Sequence, residues 1–184
     1  MPTGLPDNID VLVVGGGPAG SAAAIELARA GRSVTIVDKA TFPRDKCCGD
    51  GLTTLALREL ELLGVSSLGI SSFTKIGGAR LRSPAGRQFD VPLPTTGTYA
   101  AVARRIDLDA TLLEFAQQAG AQVRQGVAVT GAQHDADGTH IELEGLGRVT
   151  PSFVIAADGM WSTVRRELGL TPENYRGEWH AFRQ

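Results

Sequence analysis

"VLVVGGGPAGSAAAIELARAGRSVTIVD", residues 11–38, carries the succession of elements that decides the fold. The apolar run Ile9–Val14 ends in glycine and predicts a buried parallel strand. Apolar residues at helical spacing follow and stop at Gly31, which predicts a helix. The β-branched run Ser33–Val37 predicts a second strand that ends at Asp38. Strand, glycine turn, helix and strand form a βαβ unit, which predicts an α/β, Rossmann-like fold.

Gly15, Gly17 and Gly20 have the spacing of a dinucleotide-binding turn, Gly-x-Gly-x-x-Gly. The first glycine permits the tight turn, the second lets the backbone approach a pyrophosphate, and the third allows close packing of helix on strand. N–H groups and the dipole at the helix N-terminus then favour the anion. Asp38 is placed to accept a hydrogen bond from a ribose hydroxyl. The alternative is a glycine-rich turn in an ordinary α/β domain.

The composition is that of a soluble globular protein. Hydrophobic residues make up 42% of the 184, and the net charge of −2 argues against the basic face of a nucleic-acid-binding protein. No apolar run approaches the ~20 residues that span a bilayer. Residues 1–10 lack the basic and apolar regions of a signal peptide, so we expect a cytoplasmic protein.

The two cysteines of the chain, Cys47 and Cys48, lie in "FPRDKCCGDG", residues 42–51. A disulfide between sequence neighbours closes a strained ring, which argues against one here. No histidine lies near them in sequence, and a structural zinc site needs four ligands at characteristic spacing, so we expect no metal. Two interpretations remain, packing and a role in a site.

Two further segments are candidates for ligand contacts. Asp158-Gly159 follows an apolar strand and precedes a short predicted helix with Ser162 as its N-cap. Arg104 and Arg105 stand at the entry to a long predicted helix, 106–119, where an arginine can reach a cofactor phosphate in bidentate geometry. The alternatives are a structural turn for the first segment and a solvated basic pair for the second.

The remaining segments predict one more helix and several strands. The helix covers residues 53–63, and "SPAGR", residues 83–87, is typical of a hairpin turn between short alternating segments. The further strands are expected within residues 121–135, 139–145 and 147–159.

The glycine turn, the Arg105 segment and Asp158-Gly159, in this order and spacing, resemble the flavoprotein class typified by para-hydroxybenzoate hydroxylase. Within that class, "FPRDKCCGDGL" with "TLALREL" behind it resembles the geranylgeranyl reductase family of FAD-dependent oxidoreductases. The narrower part of the pattern is Pro-x-x-x-x-Cys-Gly-x-Gly, here Pro43, Cys48, Gly49 and Gly51. The resemblance covers essentially the whole chain.

The resemblance implies roles for the residues at matching positions. Cys48 and Gly49 would lie beside the isoalloxazine ring and take part in catalysis, whereas the pattern leaves the position of Cys47 free. The implied cofactors are FAD and, as electron donor, NAD(P)H or another reductant. The residues implied to bind the cofactor are Gly15, Gly17, Pro18, Ala19, Gly20, Asp38, Lys39, Arg44, Cys48, Gly49, Arg105, Val129, Asp158 and Gly159.

The resemblance also implies a domain organisation. An FAD-binding domain would comprise residues 8–70 and 99–172, and a partial, β-rich substrate domain would comprise residues 73–98 and 175–184. Family members are longer and carry a later Gly-Asp motif, so we expect this chain to be the N-terminal portion of such an enzyme, with an incomplete fold.

The implied activity is the reduction of carbon–carbon double bonds in a polyprenyl chain, as part of a geranylgeranyl lipid or a menaquinone-type quinone. Such a substrate implies peripheral association with a membrane. One alternative is an FAD-dependent aromatic monooxygenase or halogenase, against which Cys48 and Gly49 argue. Another is a flavin-binding module without turnover, because the chain lacks much of the substrate domain.

Overall fold

Residues 9–172 are described by a computed structural model, and they divide into two compact units, 9–44 with 109–172 and 45–108. The helices are α1 (Pro18–Arg29), α2 (Thr54–Leu62), α3 (Arg105–Gln118) and α4 (Thr163–Glu167), with a short 3₁₀ turn at Ser67–Gly69. The strands are β1 (Val11–Val14), β2 (Val34–Asp38), β3 (Gly51–Thr53), β4 (Thr74–Lys75), β5 (Gly78–Arg82), β6 (Gln88–Pro92), β7 (Ala100–Val102), β8 (Gln122–Gln125), β9 (Val129–Asp135), β10 (Gly138–Leu143), β11 (Gly147–Val149) and β12 (Phe153–Ala156).

A parallel sheet with the strand order β12–β1–β2–β8 forms the centre of the first unit. Val11 of β1 pairs with Phe153 on one side and with Val34 on the other. Leu12 and Val13 are fully buried, which is why this strand is a continuous apolar run in the sequence. The βαβ unit and the α/β fold class predicted from the sequence are therefore confirmed.

The first unit also contains an antiparallel sheet, ordered β11–β10–β9. Ile141 and Leu143 of β10 belong to the same buried cluster as Leu12 and Val37 of the parallel sheet, and Val164 of α4 completes it. The two sheets therefore share one hydrophobic core. Each of the strand-forming segments predicted between residues 121 and 159 contains a strand.

The second unit contains two small antiparallel sheets and α2. One sheet has the order β3–β7–β4, and the other is the hairpin β5–β6. The "SPAGR" segment closes this hairpin, because the N–H of Ser83 donates to the carbonyl of Arg87 over 2.8 Å. The predicted hairpin is thus confirmed. Strands β3, β4 and β7 were not predicted, since two or three residues are too few to show a period of two.

The boundaries of the two compact units differ from the domain boundaries that the resemblance implies. Because β7 pairs with both β3 and β4, residues 45–70 and 99–108 fold with residues 73–98 rather than apart from them. The assignment of FAD-binding and substrate domains stays a prediction, and its segment 175–184 lies outside the described residues. Among residues 9–172, no helix combines the length and the apolar character that crossing a membrane requires.

Candidate cofactor-binding site

The glycine turn leaves β1 and enters α1 without room for side chains at its two ends. Gly15 has φ of +105°, and a Cβ there would collide with the carbonyl oxygen of Ala157, the residue that follows β12. A Cβ on Gly20 would collide with the carbonyl oxygen of Gly15. The first and third glycines are therefore required by the fold itself, as the spacing predicted.

The N-terminus of α1 is open to an anion. Gly17 is the N-cap, with φ of −76° and ψ of −175°, and Pro18 occupies the first turn. No side chain caps this end, so the first-turn N–H groups of α1 lack the partner that a serine, threonine or aspartate at the N-cap supplies. Backbone N–H groups and the positive end of the helix dipole together form an anion-binding arrangement.

Asp38 lies against the glycine turn. Its Oδ2 accepts a hydrogen bond from the N–H of Gly16 over 2.7 Å, and its Oδ1 accepts one from the N–H of Ala40 over 2.8 Å. A carboxylate has about four acceptor positions, so each oxygen can still accept from a hydroxyl group. These two N–H groups orient the carboxylate at the end of β2.

A cleft opens at the carboxyl ends of β1, β2 and β12. It unites Gly15, Asp38, Lys39, Val129 and Asp158, which were all assigned to the cofactor from the sequence. Gly159 instead lines a second hollow, beside Ser162 and Arg165. The cleft residues that sequence reasoning missed are Val14, Val37, Val127, Ala128, Trp161 and Thr163.

Trp161 is the most informative of the missed residues. It is 71% exposed and lines the cleft. A signal for it existed, since a large aromatic two residues after an Asp-Gly at a strand end stands at the ligand-binding edge of a parallel sheet. Val127 and Ala128 follow β8 without such a signal, because small apolar residues are common in any loop.

Asp158 combines a structural contact with an unused acceptor. Its Oδ2 accepts from the N–H of Thr163 over 2.7 Å and from the N–H of Val164 over 3.3 Å, which fixes the start of α4. Its Oδ1 is buried and has no hydrogen-bond partner. A buried carboxylate oxygen without a partner is costly, so this atom is suited to a hydroxyl or N–H donor of a ligand.

Arg44 is held by the protein rather than free in the cleft. Its Nη1 lies 2.6 Å from Oδ2 of Asp109, a fully buried side chain on α3. Its guanidinium also lies 4.7 Å from the ring centre of Phe42. Phe42 and Leu113 in turn pack behind the glycine turn, 3.3 and 3.1 Å from where a Cβ of Gly16 would be. A contact of Arg44 with the cofactor stays a prediction.

The two cysteines of the second unit are both free thiols in different surroundings. Cys47 is exposed and Cys48 is half-buried. A hydrogen bond from the backbone N–H of Asp50 lowers the pKa of the Cys48 thiol, and the Arg105 guanidinium lowers it further. Cys48 and Arg105 are thus brought together, as two residues assigned to one site. The position of Cys48 and Gly49 beside a flavin ring stays a prediction.

Asp50 gives the cysteine turn its shape. Its φ is +54°, a left-handed conformation that few residues other than glycine adopt, and its carbonyl accepts from the N–H of Ala103 over 2.9 Å. One of its carboxylate oxygens is buried without a hydrogen-bond partner. Strain and an unsatisfied polar atom in the same residue are typical of functional sites.

These residues fit a dinucleotide. The uncapped end of α1 suits a pyrophosphate, the oriented carboxylate of Asp38 suits ribose hydroxyls, and the unused Oδ1 of Asp158 suits a donor from the ligand. In the part of the chain that is described, no group of three or more His, Cys, Asp or Glu side chains is arranged to hold a metal ion.

Comparison with known proteins identifies the dinucleotide. The family model that describes an FAD binding domain matches residues 8–183. The chain is 39% identical over 174 residues to the menaquinone reductase of Mycobacterium tuberculosis. The matched region covers 89% of this chain and 40% of that protein.

Two solved structures are similar to the chain. A geranylgeranyl bacteriochlorophyll reductase-like protein from Thermoplasma acidophilum has a TM-score of 0.76 and 27% identity, over 87% of this chain and 41% of that one. Halogenase PltM in complex with phloroglucinol and FAD has a TM-score of 0.72 and 26% identity, over 90% of this chain and 37% of that one. The chain thus spans about two fifths of the length of the proteins it matches. The glycine turn, its cleft and these similarities together show that the chain belongs to the FAD binding domain family.

Proposed function

We propose that this protein is an FAD-dependent oxidoreductase that reduces carbon–carbon double bonds in a polyprenyl chain. The favoured substrates are a menaquinone-type quinone and a geranylgeranyl lipid, in line with the names of the similar proteins from M. tuberculosis and T. acidophilum. The observation that supports it most is the cleft at the glycine turn, combined with the Cys48-Gly49 segment, which resembles the pattern of the geranylgeranyl reductase family.

In this proposal the first unit holds the adenosine and pyrophosphate portion of FAD. The N-terminus of α1 binds the pyrophosphate, and Asp38 binds the ribose hydroxyls. The Asp158 Oδ1 accepts a hydrogen bond from the cofactor. Bound FAD supplies hydride chemistry, for which the protein provides position and exclusion of water. The resemblance implies that Cys48 and Gly49 would serve the isoalloxazine ring, and the N–H of Asp50 and the Arg105 guanidinium would hold the Cys48 thiol in place.

Three further features belong to the same proposal. The electron donor is NAD(P)H or another reductant. The protein works in the cytoplasm, at the membrane surface in which its lipid substrate resides. Residues beyond the partial substrate domain complete the apolar channel that a polyprenyl chain needs, so the chain by itself binds flavin and does not reduce the lipid.

Flavin binding is tested with Gly17→Val. The ordinary backbone angles of Gly17 accept a side chain, but a branched one obstructs the approach of a pyrophosphate to the backbone. We expect the purified variant to lose most of its flavin absorbance and to keep its far-ultraviolet circular dichroism. The matched control is Gly77→Val, in open space outside the cleft, which should retain flavin. Equal flavin content in both variants would contradict the site.

Reduction is tested by mass spectrometry. A protein that carries this chain together with the further regions present in its relatives is mixed with FAD, a chemical reductant and a menaquinone with an unsaturated side chain. We expect a gain of two hydrogens for each bond reduced, and no gain with the 184-residue chain alone. Absence of saturated product from the longer protein would refute the proposed reductase activity. Saturation by the 184-residue chain would refute the claim that further residues are needed to complete the substrate channel.

The second candidate function is an FAD-dependent halogenase or aromatic monooxygenase. The similarity to halogenase PltM favours it. It predicts oxygen-dependent modification of a phenolic substrate, and the same longer protein is assayed with phloroglucinol, NADH, oxygen and chloride. A hydroxylated or chlorinated product without saturation of menaquinone would favour this candidate over the reductase.

A further inference from the structure

The hairpin β5–β6 exposes an apolar face. Its register pairs Ala79 with Val91 and Leu81 with Phe89, and residues two apart on a strand share a face. All four residues are therefore on one side of the hairpin. Leu81 is 58% exposed, Phe89 61% and Val91 45%, so this side is open to solvent.

The opposite face of the hairpin is polar, and it carries one ion pair across the strands. Nε of Arg80 lies 2.7 Å from Oδ1 of Asp90 directly across the strands, and a second guanidinium nitrogen lies 3.3 Å from the other carboxylate oxygen. This pairing keeps the hairpin in register. The hairpin is thus amphipathic, with a defined apolar face rather than scattered apolar residues.

The tip of the hairpin is basic. Residues 78–92 contain three arginines and one aspartate, a net charge of +2 in a chain whose total is −2. Arg82 and Arg87 flank the turn on exposed positions, and no ion pair within residues 9–172 involves either of them. Arg82 pairs with Gln88 on the polar face, so the two cations without a carboxylate stand at the tip of the hairpin, beyond the end of the apolar face.

We propose that the β5–β6 hairpin is the element by which the protein docks on an anionic lipid surface. Phe89, Leu81 and Val91 enter the boundary between headgroups and acyl chains, while Arg82 and Arg87 bind lipid phosphates at the level of the headgroups. The long arginine stems allow both contacts at once. The inference rests on the proposed function in one respect, since a membrane lipid substrate gives the protein a reason to be there.

A second copy of the chain is a weaker occupant of this face. The apolar face of the hairpin exposes on the order of 300 Å² of side-chain surface on each copy, and only one large aromatic residue contributes to it. A stable interface buries ~1,200–2,000 Å² in total. Two copies would also bring the arginine pairs of both hairpins together, and like charges oppose that contact.

The test is flotation of the purified chain with vesicles of phosphatidylcholine, with or without about one third phosphatidylglycerol, at two salt concentrations. We expect binding to the anionic vesicles that weakens with salt. Phe89→Thr and Leu81→Thr each keep a β-forming residue and should lower binding about tenfold. Arg82→Gln with Arg87→Gln should lower it on the order of twentyfold and abolish the salt dependence.

The matched control is Leu68→Thr, which changes a residue that is 96% exposed in the same unit and should leave binding unchanged. Equal binding by the hairpin variants and the wild type would overturn the proposal. A dimer in gel filtration that Phe89→Thr dissociates would also overturn it. The same holds if a longer protein that carries this chain binds vesicles equally well with and without Phe89→Thr. Flavin content, measured in every variant, separates this result from a failure of the proposed function.

Discussion

Cys47 and Cys48 are identical in chemistry and adjacent in sequence, and their surroundings separate them. Cys47 is exposed, whereas Cys48 is half-buried, with its pKa lowered by the N–H of Asp50 and by Arg105. The sequence assigned Cys48 to the site through the Pro43-to-Gly51 pattern. It did not predict the contact with Asp50, because nothing in the residue types reveals the left-handed turn that brings this N–H to the sulfur.

We expect Cys48 to be alkylated by iodoacetamide at lower pH than an ordinary thiol, since the thiolate is the reactive form and a lowered pKa preserves it. The measurement is the pH dependence of alkylation in Cys47→Ser, where Cys48 reacts alone. Arg105→Gln should shift the profile upward only in part, because the N–H of Asp50 remains. An unshifted profile in Cys47→Ser would show that these contacts do not stabilise the thiolate.

The sequence predicted some residues of the cleft but not the neighbours that surround them. Gly15, Asp38 and Asp158 carry signatures in their spacing and in their place at strand ends, and the cleft contains all three. What fills the space around them was not predictable. The carbonyl of Ala157 that excludes a side chain from Gly15 belongs to the far end of the sequence, and only the pairing of β1 with β12 brings it there.

At the scale of elements, a buried ion pair joins the loop after β2 to α3. Asp109 is fully buried and Arg44 is largely buried, and the guanidinium covers the ring of Phe42. The sequence predicted α3 from its apolar spacing, and Leu108, Leu112 and Ala116 are indeed buried. It missed the role of Asp109, because an acidic residue near the start of a helix normally faces solvent.

We expect Asp109→Asn to lower the free energy of unfolding by about 3 kcal/mol, since it leaves the charge of Arg44 unpaired in a largely buried place. Urea unfolding measures it. The control on the same helix is Asp107→Asn, whose arginine partner is exposed and whose cost should stay within about 1 kcal/mol. The double change Arg44→Met with Asp109→Leu should recover part of the loss; no recovery would mean that Asp109 acts through other contacts.

The antiparallel sheet of the first unit contains a titratable contact. Nε2 of His140 lies 3.0 Å from Asp135, and Nδ1 of the same ring lies 2.8 Å from the Thr150 hydroxyl. The contact with His140, followed by the N–H of Asp137, lowers the pKa of the Asp135 carboxyl. One side chain of β10 thereby contacts the last residue of β9 and the residue that follows β11.

A lowered carboxyl pKa means that the folded state favours the ionised form, so the stabilisation is present above the ordinary pKa of aspartate and is lost as the pH falls below it. Asp135→Asn should therefore be less stable than the wild type at neutral pH, and the difference should shrink as the pH falls below about 4. Urea unfolding from pH 7 to pH 3 follows both proteins. A difference that is constant over this range would show that the charge of Asp135 is not involved.

Long elements were predictable and short ones were not. Helices α1, α2 and α3 agree with their predicted ranges to within a few residues, because each has two or more turns of apolar spacing. Strands β3, β4 and β7 have two or three residues each, and they exist only through pairing with one another. Their pairing also places residues 51–53 and 100–102 in the same compact unit as Thr74 and Lys75.

For the whole molecule, the first unit is expected to recognise one part of its cofactor. The uncapped α1 and Asp38 suit the pyrophosphate and ribose, which ADP and FAD share and riboflavin lacks. At a free concentration of 100 times its Kd, FAD or ADP should stabilise the chain by about 2.7 kcal/mol. A thermal-shift measurement with the three ligands tests it, and equal shifts by riboflavin and ADP would place the main contacts elsewhere.

The pairing of β1 with β12 has a consequence for the order of events during synthesis. Val11 lies beside Phe153, and the wall of the glycine turn is the carbonyl of Ala157. During synthesis the glycine turn leaves the ribosome before Ala157 does, and all the strands between them emerge in the interval. Pairing between such distant segments is also slow, because a long loop must close first. If the glycine turn binds FAD as proposed, we expect capture of FAD only at the last stage of folding, because until then the turn lacks the carbonyl of Ala157 beside it.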